Sequence, residues 1–343
     1  MLRRQTPRSL LPTVLVLALS AACALPGRRP KRVEATPQEA QAATDARNWS
    51  LAAERWYGIF AADPGARAEA CAKAAQAMLE MKDFQGASHV LDIGLRNHPE
   101  HAQLLELKGQ ALARLGFARA AADCFERILD REPGRASVWI QLGDVRMQLG
   151  LEGAAATGYG HAIDLGEGEA SVWTRLARAR RRSGDAGGAL AAYARGFELA
   201  PGEVEDLLEA AQLAADPAVK EKRSVYLALG LEWLGRIVER QPNHAVAHFE
   251  LGVLSEELGR KQDAVEHYLR AIELDTGCLI ALRNLAVLYA SIGDVEGTRK
   301  MVERALSIEQ DPDRRKALQD LLEKAGRKAE GDPPPSADAK PQH

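Results

Sequence analysis

Ala53, Ala87, Ala121, Ala155 and Ala189 stand 34 residues apart, and four residues after each comes Tyr57, Leu91, Phe125, Tyr159 or Tyr193. Such a period limits the fold more than composition does, because it means one supersecondary unit built again and again and stacked. The stretch ASVWIQLGDVRMQLGLEGAAATGYGHAIDLGEGE from Ala136 superimposes on ASVWTRLARARRRSGDAGGALAAYARGFELAPGE from Ala170. Trp139 aligns with Trp173 and Gly109 with Gly143. Gly116, Gly150 and Gly184 form another column, as do Pro99, Pro133 and Pro201, with Glu167 in the gap.

Each unit reads as a helical hairpin. The first helix carries Trp or Leu over an apolar stripe. Glycine at the turn accepts backbone angles that other residues resist. The alanine column marks a crossing too close for a larger side chain, and proline ends the unit because it cannot continue a helix. These residues, W-x2-L-G, then A-x3-F/Y and a late proline, resemble the tetratricopeptide repeat. The resemblance implies an all-α fold, a right-handed α-solenoid of about eight such hairpins plus a C-terminal capping helix. The solenoid spans residues 34–312, with units starting near Glu34, Ala68, Ala102, Ala136, Ala170, Val204, Ala245 and Leu279. The capping helix is expected over 313–328, with Asp311 as N-cap and Pro312 as its first residue. Residues 329–343 read as a disordered tail by composition. The unit from Val204 is seven residues longer than its neighbours. Asp216 and Pro217 there suggest a cap and a first helical residue. They predict an overlong second helix from about Pro217 to Arg240, projecting roughly 10 Å as a docking protrusion that ends in Tyr226.

The N-terminus holds Arg3, Arg4 and Arg8, then an apolar run from about Leu10 to Leu19 that contains Pro12. A spanning helix needs roughly 20 apolar residues, so the run is too short and fits a signal peptide over 1–22 instead. Ser20, Ala21 and Ala22 before Cys23 resemble the lipobox of bacterial lipoproteins, although the alanines also suit an ordinary signal peptidase. The lipobox resemblance implies lipidation at Cys23, and Ala24 after it implies the outer membrane, facing the periplasm of a bacterial envelope. Residues 23–33, with LPGRRPKRV from Leu25 to Val33, form a basic tether that suits anionic headgroups.

Basic and acidic residues nearly balance, 45 against 48, which excludes the strongly basic face of a nucleic-acid binder. Beside Cys23, the cysteines Cys71, Cys124 and Cys278 fall in different units and read as buried free thiols. No phosphate loop, nucleophile elbow or HExxH pair is present. His244 and His248 are four apart and His267 lies in the same unit. His248, however, occupies the tryptophan column, so packing is the reading adopted. Neither catalysis, a metal, a cofactor nor a small-molecule substrate is expected.

Tetratricopeptide repeats line a concave groove with their first helices. By that resemblance Val246, Phe249, Val253, Ile280, Arg283 and Val287 face a partner-binding groove, while Leu251, Leu254, Leu282 and Leu285 supply the core. The capping or overlong helix folding over these residues is the alternative. Arg175, Arg178, Arg181 and Arg182 form a candidate face for an acidic ligand, since guanidinium forks match carboxylates. The function implied is a membrane-tethered scaffold for protein or peptide partners, with an envelope polysaccharide binder as the other reading.

Overall fold

The structure is a computed structural model that describes residues 35–65 and 67–330. The signal peptide, Cys23, the tether and the tail beyond residue 330 lie outside the described residues. These residues form seventeen helices and no strand, divided between two compact units that meet in sequence at Gly168 and Glu169. The first unit holds α1 (Pro37–Asp45), α2 (Trp49–Ala62), α3 (Ala68–Glu80), α4 (Phe84–Asn97), α5 (Ala102–Arg114), α6 (Ala118–Leu129), α7 (Ala136–Gln148) and α8 (Glu152–Asp164). The second holds α9 (Ala170–Arg182), α10 (Ala186–Leu199), α11 (Val204–Ala215), α12 (Arg223–Arg240), α13 (Ala245–Glu257), α14 (Lys261–Leu274), α15 (Leu279–Ile292), α16 (Val295–Leu306) and α17 (Pro312–Glu330). Within each unit the helices pack as consecutive hairpins, and each hairpin packs on the next.

The repeat columns become structural positions. Ala87, Ala121, Ala155 and Ala189 have no solvent exposure. Gly116, Gly150, Gly184, Gly259 and Gly293 all take positive φ at the turn inside a hairpin; Lys82 occupies the same column with φ 60°, a conformation costing an L-residue roughly 1–2 kcal/mol. Asp83, Asp185 and Asp294 share the column just after and cap the second helix, each accepting a hydrogen bond from the backbone N–H three residues on.

Two further columns lock the first helix of a hairpin to its second by complementary size. A Cβ added at Gly109 would lie 2.6 Å from the Phe125 ring, at Gly143 2.6 Å from Tyr159, and at Gly252 2.5 Å from Tyr268. Where the first helix carries Ala75 or Ala286 instead, the facing column holds the smaller Leu91 or Val302, although Ala177 faces Tyr193, all of them buried. The other column places Trp139 against Gly158, Cys71 against Val90, and His248 against His267.

The longer unit departs from expectation. Helix α12 begins at Arg223, not Pro217, and the residues before it fold as a turn closed by Lys222 at φ 51°. Asp216 Oδ1 accepts from Ala218 N, two residues on, so it makes a local turn rather than a helix cap. The Arg223 guanidinium donates to the carbonyls of Ala215, Asp216 and Val219, and Val219 is buried. Tyr226 is buried as well, its hydroxyl donating to Gly187 O at 3.4 Å. The insertion is thus a largely exposed turn anchored through Val219 and Tyr226, not a projecting helix. At the C-terminal end Asp311 Oδ1 accepts from Arg314 N at 2.9 Å, and α17 buries Leu318 and Ala325. Cys71 and Cys124 are buried and Cys278 half-buried, all free; burial pushes the Cys71 thiol up to about 12. Among the described residues no helix is long and apolar enough to cross a membrane.

Candidate functional site

In the first unit, α3, α5 and α7 are the first helices of successive hairpins, and they line a groove of about 840 Å³. Its composition follows from the period. Gln76, Gln110 and Asp144 occupy one column, and Glu80, Arg114 and Gln148 the column one turn later. The polar groups are partly knitted together. Gln110 Nε2 donates to Gln141 Oε1 at 2.9 Å, and Gln141 Nε2 donates to Glu106 Oε1 at 2.8 Å. Arg135 also donates to Glu106. Tyr159 donates its hydroxyl to Asp144 at 2.7 Å, and Gln76 donates to Glu80 at 3.1 Å. Lys82, Arg114 and Gln148 are exposed, and no side-chain partner for them is present among the described residues. Leu79, Ala113 and Val145 form the apolar part of the lining.

This lining suits a peptide more than a small molecule. Side-chain amides offer a donor and an acceptor together, as main-chain amides do. The main chain of an extended segment running across these helices can meet such amides at Gln76, Gln110, Gln141 and Gln148. This groove is not among the candidate surfaces read from the sequence. The signal was there: Gln110 and Asp144 share the column of Arg178, Gln141 that of Arg175, and Arg114 and Gln148 that of Arg182.

The groove and arginine-face residues singled out from the sequence all lie in the second unit. Val246, Ile280 and Val287 are exposed, at 46%, 59% and 51%. Phe249 and Val253 are half-buried against the core, Phe249 beside the Tyr268 ring with centroids 6.0 Å apart. Leu251, Leu254, Leu282 and Leu285 are buried. Arg283 and Val287 form, with Leu318 and Leu321 of α17, a pocket of about 220 Å³. The capping helix therefore walls one side of the patch without covering it. Three of the four arginines do not stand as open donors, while Arg182 is exposed. Arg178 gives Nε and a terminal nitrogen to Asp206, whose side chain is buried. Arg181 pairs with Glu209 at 2.9 Å, and Arg175 is engaged too. Acidic residues on α11, the first helix of the next hairpin, already occupy this face.

Also on this side of the second unit, Gln212 Nε2 donates to Glu250 Oε1 at 2.8 Å. Burial holds the Glu250 carboxyl above its ordinary range, with the Gln212 bond pulling the other way. A raised pKa in the fold means that folding takes up a proton. Stability from this group is therefore complete below the unfolded carboxylate pKa of about 4.3 and falls as pH rises through the folded value. Glu250→Gln keeps an acceptor for Gln212 and removes the charge. It is expected to raise the melting temperature above neutrality and to change little well below pH 4.3; equal shifts at both pH values in thermal unfolding would contradict this.

Models of the tetratricopeptide repeat match residues 245–278 and, in a second form, residues 72–116 and 108–170. The chain carries tetratricopeptide repeats. Among solved structures, it resembles the C-terminal part of a TPR repeat-containing protein from Cytophaga hutchinsonii, with 19% identity and a TM-score of 0.55 over 72% of this chain and 98% of that one. It also resembles YrrB, described as a TPR protein with an unusual peptide-binding site, with 17% identity and a TM-score of 0.50 over 57% of this chain and 98% of that one. At these identities the likeness concerns the fold. A 70-residue stretch is 39% identical to the probable biofilm formation methyltransferase WspC of Pseudomonas putida. The match takes in 20% of this chain and 16% of that protein's length. Among the described residues no group of three or more His, Cys, Asp or Glu side chains is arranged to hold a metal ion.

Proposed function

We propose that this chain is a non-catalytic scaffold, tethered to a bacterial envelope membrane through a lipid on Cys23, that seats an extended segment of a partner protein over α3, α5 and α7. The observation that carries it is the polar groove that Gln76, Gln110, Gln141, Asp144 and Gln148 line on three consecutive first helices. Lys82 adds a cation at the groove edge, holding the positive φ that five hairpins give to glycine and that Arg47 and Lys222 also hold. The exposed Val246, Ile280 and Val287 of the second unit offer a separate apolar contact surface. The tether rests on the apolar run ending in Ser20, Ala21, Ala22 and Cys23, and an outer-membrane, periplasm-facing position follows from Ala24.

One experiment separates the two halves of this reading. The full chain, its Cys23→Ser variant and its Gln110→Ala, Gln141→Ala variant are produced in a bacterial host, fractionated, and panned against displayed random peptides. Cys23→Ser should leave the membrane fraction yet still select peptides. The groove variant should stay with the membrane but bind those peptides at least about tenfold more weakly, a loss of roughly 1.4 kcal/mol. A Cys23→Ser protein still in the membrane fraction refutes the anchor. Unchanged peptide affinity in the groove variant refutes the groove.

A further inference from the structure

We infer that His248 on α13 and His267 on α14 form a binding site for one borderline divalent ion, such as Zn²⁺, Ni²⁺ or Cu²⁺. Their Nδ1 atoms are 3.5 Å apart and the ring centroids 5.7 Å apart. Two nitrogens held ~2.0–2.1 Å from one tetrahedral ion lie roughly 3.4 Å from each other, so the rings stand nearly where a shared ion requires them.

The tautomer is fixed by a bond that the repeat makes elsewhere with a different residue. Trp139 donates Nε1–H to Pro133 O at 2.9 Å, six residues back. His248, in the same column, places Nε2 3.0 Å from Pro242 O, also six back. A carbonyl only accepts, so Nε2 carries the hydrogen and Nδ1 presents a lone pair. An imidazole held through its far N–H by a carbonyl is the usual arrangement of a histidine ligand. The facing column completes the argument. It holds Gly158 opposite Trp139 and Ala192 in the next hairpin, but His267 here. This hairpin thus keeps the tryptophan's structural bond while replacing a large–small pair with two imidazoles whose nitrogens converge.

Without an ion, His267 donates Nδ1–H to His248 over a long 3.5 Å. When the ion binds, that hydrogen moves to His267 Nε2, so both nitrogens ligate with no net proton release and no redox change. The chain provides two ligands, and water fills the remaining positions. The ion would staple the two helices of the hairpin.

The test uses the full chain and the double variant His248→Trp, His267→Ala, which reproduces the residues of the hairpin holding Trp173 and Ala192 and so preserves folding. Zn²⁺ is titrated calorimetrically, and Cu²⁺ is followed by electron paramagnetic resonance. The native chain should bind one more Zn²⁺ than the double variant, show a Cu²⁺ signal split by two imidazole nitrogens, and melt higher with Zn²⁺ present. His267→Ala alone should weaken Zn²⁺ at this site at least about tenfold. Equal stoichiometry in the native and double-variant chains, or a Cu²⁺ spectrum unchanged between them, shows a packing pair only and overturns the proposal.

Discussion

Trp233→Ala is expected to cost about 3–5 kcal/mol of unfolding free energy, the range for truncating a large buried aromatic. Trp233 is 1% exposed in the middle of α12 and meets the Phe197 ring edge-on with centroids 5.4 Å apart. Phe197 in turn stacks on Tyr193 at 5.5 Å. Removing the indole empties the α12 end of this aromatic row, which joins α10 to α12, and backbone on two helices cannot close over so large a space. Urea unfolding followed by far-UV circular dichroism measures the loss. A change below about 1 kcal/mol would mean that the row collapses freely and is not a packing centre. Trp233→Phe should recover part of the loss, since a smaller ring still meets Phe197.

The second large effect concerns size complementarity between the helices of a hairpin. Gly143→Leu forces a side chain into the space of the Tyr159 ring, whose edge would lie 2.6 Å from even the first added carbon. Overpacking of this kind costs about 1–3 kcal/mol and occasionally more. The ring cannot swing aside cheaply, because Tyr159 is 2% exposed and its hydroxyl is held by Asp144. Gly143→Ala alone should be milder, since Ala177 already faces Tyr193 in the next hairpin, both fully buried, and alanine gains about 1 kcal/mol of helix propensity over glycine. The informative variant pairs Gly143→Ala with Tyr159→Leu, copying Ala75 and Leu91. Chemical denaturation should show the two changes coupled by 0.5 kcal/mol or more, roughly the lower limit for residues in contact. Strict additivity would mean that the columns match in size by accident.

The hairpin register was legible because it rests on local rules that repeat. Glycine at positive φ, aspartate caps and alanine crossings recur at Gly116, Asp185 and Ala121 for the same backbone reasons each time. The residues around Val219 were not legible. Asp216–Pro217 satisfies the local grammar of a helix start, yet burial of Val219 and the reach of Arg223 to three carbonyls decide the outcome. Both are contacts between segments, and propensity says nothing of them. The pairing within the arginine face was hidden for a related reason. Arg178 and Arg181 were visible as a row, but Asp206 and Glu209 on the adjoining helix neutralise them. The groove in the first unit carried no apolar or charged run to draw the eye. Only comparing the columns of Arg178 and Arg182 one and two repeats earlier would have disclosed Gln110, Asp144 and Gln148.

The paired columns bear on how such a chain can change over generations. Gly143 with Tyr159, Ala75 with Leu91 and His248 with His267 each unite the two helices of one hairpin rather than neighbouring hairpins. A recombination that exchanges a whole hairpin keeps every partner together. One whose breakpoint falls in the glycine turn separates them and leaves either a void or a clash. The hairpin is therefore the smallest heritable piece that can be shuffled intact, and single helices are not interchangeable parts.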